Sequence, residues 1–461
     1  MALMLKQYYL ACLSHASYLV ADAETGRAIV VDPQRDISEY LHDATANGLT
    51  IERIVESHFH ADFVSGHLEL TAATGAPISY GAAAQGLTEF PIVPVRDGER
   101  LSLGSVEVEF LETPGHTPES ICLVVREQPQ AAPHAVLTGD TLFIGDVGRP
   151  DLLSAFGRSQ DQMAQSLYHS LRHKLLTLPD STLVYPAHGA GSACGKHLST
   201  ETVSTIGEQR RTNYALATMG IDEFVQIVTE GQAAAPLYFS FAASRNRAER
   251  ESLVEGVAPE SLDVESFRQL QRGGAIIVDS REPEVFSRAH WVGSRNVGLS
   301  GRFAEYVGEV VRSTDRILLV SEPGTEIEAR TRLARIGFDN VVGSLARPYE
   351  AFALHPESVV VASRLTAEQF VQRRRSIPNL QIVDVRGPGE VAAGMISGAQ
   401  HVQLATLLTQ LTSLNSAVPT VVYCAGGYRS SIGASTMRSL GFADVSDIIG
   451  GYAALSGEGV A

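Results

Sequence analysis

Apolar residues in the first part of the chain fall in short bursts, and several bursts end on residues with chemistry to offer. Ala28-Ile29-Val30-Val31 reads as a buried strand closed by the Asp32-Pro33 break. Residues 37–47 place Ile37, Leu41 and Ala44 at helical spacing and predict a helix. Residues 51–56 predict a strand that delivers His58 just past its end. Residues 106–111 alternate with period two, the mark of a half-buried strand, and run into Thr113-Pro114-Gly115-His116. Two further strands, at 135–139 and 183–186, lead onto Asp140 and His188. The opening stretch, Tyr8 to Leu13 and then Ser17-Tyr18-Leu19-Val20, predicts a β-hairpin. It has neither the basic cluster nor the small-residue cleavage site of a signal peptide. Cys12 and Cys122 fall in these apolar runs and are expected in the core. Four strands thus finish near His58, His116, Asp140 and His188, and loops at strand ends are where sites gather.

Residues 201 to 245 turn helical and polar, broken at Ala233-Ala234-Ala235-Pro236. Beyond that the chain repeats itself. Ile276-Ile277-Val278-Asp279-Ser280-Arg281 is echoed by Gln381-Ile382-Val383-Asp384-Val385-Arg386, and Leu333-Ala334-Arg335-Ile336-Gly337-Phe338 by Met437-Arg438-Ser439-Leu440-Gly441-Phe442. Forty-two positions separate Asp279 from Ser321, at the end of the next apolar strand, and forty separate Asp384 from Cys424. Two copies of this length mean tandem α/β domains and not a solenoid. The predicted layout is residues 1–245 with a helical extension, then 262–355, then 362–461.

The 461 residues are 44% hydrophobic and 19% charged, so each domain can close a core of its own. A net charge of −16 argues against nucleic acid and anionic membrane surfaces as partners. Arg373-Arg374-Arg375 lies near the end of a predicted helix, where basic residues suit the dipole. No apolar run approaches the ~20 residues of a membrane span. Cys12, Cys122, Cys194 and Cys424 are too few and too scattered for a disulfide framework, which points to a reducing compartment and an expected cytoplasmic location. A homo-oligomer is left open.

The candidate ligands are His58, His60, Asp62, His67, His116, Asp140 and His188. His58-Phe59-His60-Ala61-Asp62 resembles the H-x-H-x-D-H signature of metallo-β-lactamase-fold enzymes, whose final histidine holds the second ion in two-metal members. Phe63 stands in that place and has no lone pair to give, so one metal is expected. Two imidazoles and a carboxylate on one face suit Fe(II) and oxygen, whereas zinc hydrolases favour a more nitrogen-rich set. His58, His116 and Asp140 would form that face. His60 and Asp62 would orient ligands or water, and His188 would hydrogen-bond beside the pocket. Arg149 has two readings: a contact for a substrate carboxylate, or a partner for Asp151. Cys194 also has two: a sulfur relay near the metal, or a small residue in a tight turn.

Cys424-Ala425-Gly426-Gly427-Tyr428-Arg429-Ser430 follows a buried strand and opens a helix. Backbone N–H groups curled around one sulfur at a helix start favour a thiolate or persulfide, with Arg429 as a donor fork for an oxyanion. The first copy has Ser321-Glu322-Pro323-Gly324-Thr325-Glu326 instead, where a hydroxyl cannot carry a persulfide and two acids repel anions.

Residues 58–67, with the blocks Asp140-Thr141-Leu142-Phe143-Ile144-Gly145-Asp146 and Pro186-Ala187-His188-Gly189, resemble the persulfide dioxygenase family. The Cys424 loop, with Asp384-Val385-Arg386 and Glu390, resembles the rhodanese active site. Met395 stands where that family usually has histidine. The resemblance implies an α/β multi-domain chain: a metallo-β-lactamase αββα sandwich, an inactive rhodanese-like domain and an active one. It implies one Fe(II) on His58, His116 and Asp140, and Cys424 as nucleophile within the loop of Ala425, Gly426, Gly427 and Tyr428, with Arg429 as anion contact. It further implies oxidation of a low-molecular-weight thiol persulfide, such as glutathione persulfide, by O2 to sulfite. Sulfur transfer through Cys424 would form thiosulfate or run in reverse. The competing expectation is a glyoxalase-II-like zinc thioester hydrolase with an accessory sulfur carrier.

Overall fold

A computed structural model describes residues 2–152 and 159–456. Residues 457–461, the end of the predicted last domain, lie outside the described residues. The chain divides into two compact units, Met1–Gln232 with Phe239–Leu253, and Ala233–Tyr238 with Val254–Ala461.

The first unit holds two six-stranded sheets. One runs in chain order through Leu3–Leu10, His15–Asp22, Arg27–Val31, Thr50–Val55, Ile78–Gly81 and Ile92–Val95. Its first three strands pair antiparallel through tight turns; the next three pair parallel. Parallel neighbours need a crossover, and the helices Ser38–Ala46 and His67–Thr74 supply the first two. The other sheet contains Arg100–Ser102, Glu107–Glu112, Ile121–Arg126, Ala135–Gly139, Leu183–Pro186 and Ser204–Thr205. Its one parallel pair, Ala135–Gly139 with Leu183–Pro186, is spanned by the helix Gln160–His173.

Alternation along the strands feeds apolar cores on both faces of each sheet. Tyr18, Val31 and Val55 of one sheet meet Val108, Phe110, Leu123 and Leu137 of the other. On the outer faces, Leu19, Val30 and Ile54 pack with Tyr40 and Leu70, while Cys122 and Val136 pack with Leu167, Leu171 and Phe224. The result is the expected αββα sandwich. It explains why His15–Asp22 is buried along its whole length: both faces of the strand are covered. Cys122 is buried as expected. Cys12 is not: it lies in the turn between the first two strands, half-buried, and Leu13 fills the core there instead. An apolar burst that spans a hairpin turn cannot keep every side chain inward.

The second unit contains two five-stranded parallel sheets with one strand order. The first reads Ser261–Leu262, Val341–Leu345, Ile317–Val320, Ile276–Asp279, Arg295–Asn296, and the second Ser363–Leu365, Val445–Ile448, Thr420–Tyr423, Gln381–Asp384, Gln400–His401. The sequence repeat is therefore a structural one. Ile317–Val320 and Thr420–Tyr423, central in their sheets, are buried at every residue, as two-sided parallel strands must be. The repeated Asp-x-Arg is a buried fork. Arg281 grips Asp279 at 2.9 and 2.6 Å and donates to the Ala289 carbonyl at 3.0 Å; Arg386 grips Asp384 at 3.0 and 2.7 Å and donates to the Gly394 carbonyl at 2.6 Å. Each fork ties a central strand to the turn after the next helix.

Candidate metal centre and sulfur-binding loop

The loops after Thr50–Val55, Glu107–Glu112 and Ala135–Gly139 carry His58, His116 and Asp140 to one point. His58 Nε2 lies 3.8 Å and His116 Nε2 3.5 Å from Asp140 Oδ2. All three side chains are buried. Each imidazole is oriented from behind: His58 Nδ1 meets Ser57 Oγ at 2.9 Å, and His116 Nδ1 donates to the Arg149 carbonyl at 2.8 Å. That bond fixes the His116 tautomer and leaves its Nε2 lone pair pointing inward. His58 Nε2 and both Asp140 carboxylate oxygens are buried with no hydrogen-bond partner. Buried polar atoms left unmet are costly, and a cation bound by two nitrogens and an oxygen removes that cost. The residues present fit a metal ion. Gly148 makes the approach possible, because a Cβ there would lie 1.9 Å from the Asp140 carbonyl and 3.1 Å from His116 Nδ1.

Electrostatics favour the same arrangement. Burial, reinforced by the neighbouring imidazoles, holds His58 well below its usual value, and burial holds His116 at about 4, so both rings are neutral, the form that can bind a metal ion. Burial raises Asp140 to about 6 against the pull of His188.

A second group, His60, Asp62 and His188, lies beside the first. His188 Nε2 is 3.3 Å from Asp62 Oδ2 and 3.5 Å from Asp140 Oδ1, so His188 is closer to the centre than a bystander. His60 also faces two further carboxylates. Its Nε2 lies 3.1 Å from Asp32 and 3.5 Å from Glu56; although burial lowers its pKa, these carboxylates raise it well above the usual value. The Phe63 ring packs between imidazoles, 3.9 Å from His15 and 4.4 Å from His60. His67 points to Glu56 at 3.3 Å, away from the centre. Asn246 pins the whole segment: its amide donates to the carbonyls of His60 and Phe63, both at 2.8 Å, and its side-chain oxygen accepts from the Ser65 N–H at 2.8 Å.

Of the two readings of Arg149, local pairing is the one observed: its guanidinium forks Asp151 at 2.7 and 2.7 Å. Its backbone still serves the site through His116. Cys194 is buried and grouped with Asp140 and His188. Burial, with Asp62 and Asp140 nearby, pushes its thiol well above the ordinary range, so it is protonated in this setting.

In the second unit, Cys424 follows Thr420–Tyr423 and is buried. The Gly427 N–H donates to its Sγ at 3.1 Å, and its thiol reaches Ser430 Oγ at 3.6 Å. Gly427 caps the helix Tyr428–Ser439, so the sulfur sits at a helix N-terminus. Ala425 and Gly426 form the open rim. Arg429 is engaged: it forks Glu390 at 2.8 and 2.7 Å. Ser57, Asp32, Glu56, Asn246 and Ser430 are the groups that sequence reasoning missed. Ser57 and Ser430 adjoin motif residues and could have been suspected; Asn246 lies 183 positions from Phe63 and carries no signal.

An αββα sandwich with a histidine–aspartate centre at its strand ends defines a metallo-beta-lactamase-fold domain. The metallo-beta-lactamase superfamily description matches residues 10–188, and the rhodanese-like domain description matches residues 366–458. The chain belongs to the persulfide dioxygenase family: it is 30% identical over 250 residues to the mitochondrial persulfide dioxygenase of Homo sapiens, covering 53% of this chain and 87% of that protein. It is equally 30% identical to the Bos taurus protein over 234 residues, 50% of this chain and 82% of that one. A hydroxyacylglutathione hydrolase of Polaromonas sp. is 36% identical over 174 residues, 37% of this chain and 61% of the relative. The crystal structure of a metallo-beta-lactamase from Staphylococcus aureus superposes with a TM-score of 0.68 at 29% identity, over 75% of this chain and 99% of that one. That match extends beyond the metal domain. The chain is an enzyme of sulfur metabolism with a metal centre and a rhodanese-like domain. Among the described residues no helix is long and apolar enough to cross a membrane.

Proposed function

We propose that this enzyme binds one Fe(II) through His58, His116 and Asp140 and oxidises a low-molecular-weight thiol persulfide with O2 to sulfite and the free thiol. Written in full, RSSH, O2 and water give RSH, sulfite and two protons. The observation that carries this reading is the buried set of His58, His116 and Asp140 on one face, in which His58 Nε2 and both Asp140 oxygens have no hydrogen-bond partner, with Phe63 standing where a second-ion histidine would be. Bound ferrous iron supplies a coordination site at which O2 and a persulfide sulfur can meet. The chain's own residues hold that site. Ser57 and the Arg149 carbonyl orient the rings, Phe63 and Phe143 keep it dry, and Asp62 with His188 stands ready to hold a proton or water beside Asp140. Cys194, buried and protonated beside Asp140 and His188, lines the site as a neutral thiol.

Cys424 is the sulfur carrier of the second activity. Its persulfide gives the outer sulfur to sulfite, so that an S–S bond to the cysteine breaks, an S–S bond to sulfite forms, and thiosulfate and the Cys424 thiolate result; the reverse uses the same atoms. The dioxygenase domain extends past the expected end at 245 to Leu253, because Asn246 bonds residues 60, 63 and 65; residues 262–355 form an inactive rhodanese-like domain and 362–461 the active one. Four cysteines, none in a disulfide among the described residues, suit a cytoplasmic setting. Covalent linkage of the two activities raises the local sulfite concentration at Cys424.

The test is metal analysis of purified protein combined with an oxygen electrode and a panel of persulfides, glutathione persulfide among them. Iron with persulfide-dependent O2 uptake supports the proposal. Zinc with thioester cleavage and no O2 uptake replaces it with the hydrolase reading, which the Polaromonas relative and the His60, Asp62, His188 group would then explain.

A further inference from the structure

The copy without a cysteine reaches into the loop of the copy that has one. Tyr428, next to the residue whose N–H meets Cys424 Sγ, donates its hydroxyl hydrogen to the Gly298 carbonyl at 2.5 Å. Its ring stands 5.5 Å from that of Tyr306, at 58°. Gly301 lies under it so closely that a Cβ there would sit 2.6 Å from Tyr428 Cζ. The same stretch follows the helix Tyr428–Ser439 further along. Ser431 Oγ donates to Asn296 Oδ1 at 3.0 Å, the Asn296 N–H donates to Ser435 Oγ at 2.9 Å, and Arg295 Nε donates to Ser439 Oγ at 3.1 Å. Asn296 is itself fixed, its amide donating to the carbonyls of Asp279 and Arg281 at 3.1 and 2.7 Å. The strand end tied by the first Asp-x-Arg fork therefore supports the helix that caps the sulfur in the second copy.

We infer that residues 295–306 act as a positioning element for the sulfur-binding loop, clasping Tyr428 so that the Gly427 N–H and the helix N-terminus stay aimed at Cys424 Sγ. The inference deepens the reading of Cys424 as sulfur carrier and gives the degenerate copy a task that needs no cysteine. A loop that must present N–H groups to one sulfur loses its effect if it can tilt, and the residues that hold it lie outside its own sheet.

The decisive variant is Tyr428→Phe, which deletes one hydroxyl and keeps the ring; Gly301→Ala, which crowds the same contact from the opposite side, is the second. In the full-length protein, alkylation of Cys424 by iodoacetamide is followed by mass spectrometry across pH, beside thiosulfate:cyanide sulfur transfer and O2 uptake. The expected result is a rise of about half a unit or more in the pH midpoint of Cys424 alkylation, with kcat for sulfur transfer lowered ~threefold or more and O2 uptake unchanged. A midpoint unmoved in both variants overturns the inference, even if the melting temperature falls, because a merely structural contact would lower stability without retuning the thiol. Wild-type protein with a reactive Cys424 and no sulfur transfer would instead count against the carrier reading, while the alkylation profile would still decide the clasp.

Discussion

Replacing Gly148 by alanine puts a methyl group where the site has no room. The new Cβ would lie 1.9 Å from the Asp140 carbonyl oxygen, against an ordinary contact of 3.4 Å or more, so about 1.5 Å of separation must be found. Shared equally, that moves each backbone by ~0.75 Å, several times the ~0.2 Å tolerance of a metal–ligand bond. The same Cβ presses on His116 Nδ1 from 3.1 Å, against the 2.8 Å bond that aims the ring. Overpacking of this kind costs about 1–3 kcal/mol in stability, and disturbing the groups that orient ligands lowers metal affinity ~10–100-fold. Gly148→Ala should therefore be recovered with little metal after dialysis against a weak chelator, melt at lower temperature, and regain O2 uptake only with excess iron. The assay is metal content per chain by elemental analysis, with a melting curve on the same sample. A variant that keeps wild-type metal content and O2 uptake would show that Asp140 and His116 are not the ligands, or that their placement tolerates far more movement than a metal allows.

Cys424→Ser should abolish sulfur transfer and leave persulfide-dependent O2 uptake intact, as measured by thiosulfate formation beside oxygen consumption; equal loss of both would merge the two sites. Chelation should do the reverse, ending O2 uptake while Cys424 remains alkylated at the wild-type rate. Glu69→Gln should destabilise the protein by about 3 kcal/mol in denaturant melts, because buried Glu69 accepts from Arg35 at 3.0 Å and Arg250 at 2.8 Å and the change leaves both cations underpaired. Burial raises that carboxyl, but Arg250 and Arg35 outweigh it and hold it below its usual 4.5. Its contribution is thus complete above about 4.5 and lost as the pH falls through the depressed folded value, so the gap between wild type and variant should close in acid.

The candidate metal ligands were legible because each follows a short apolar strand within a few residues, and such strands must end where loops converge. Cys424 was legible for the same reason, with glycines to mark the turn. What escaped was pairing over distance. Asp32 reads in sequence only as a strand-ending break, yet its carboxylate meets His60 Nε2 at 3.1 Å. Arg429 reads as a donor for anions, but Glu390, thirty-nine positions earlier, holds both of its terminal nitrogens. Cys12 reads as core because apolar content does not say where a hairpin turns. The tandem sheets were visible through their repeated Asp-x-Arg, whose buried forks keep both residues in each copy although only one copy retains the thiol.

Asn246 sets how short the first unit can be made. Its three bonds to residues 60–65 come from beyond the last candidate ligand and beyond Ala233–Tyr238, which belongs to the other unit. Anyone excising the first unit by cutting after His188, or even after Gln232, would free the His60 and Phe63 carbonyls from the amide that binds them. The piece to express alone runs through Leu253.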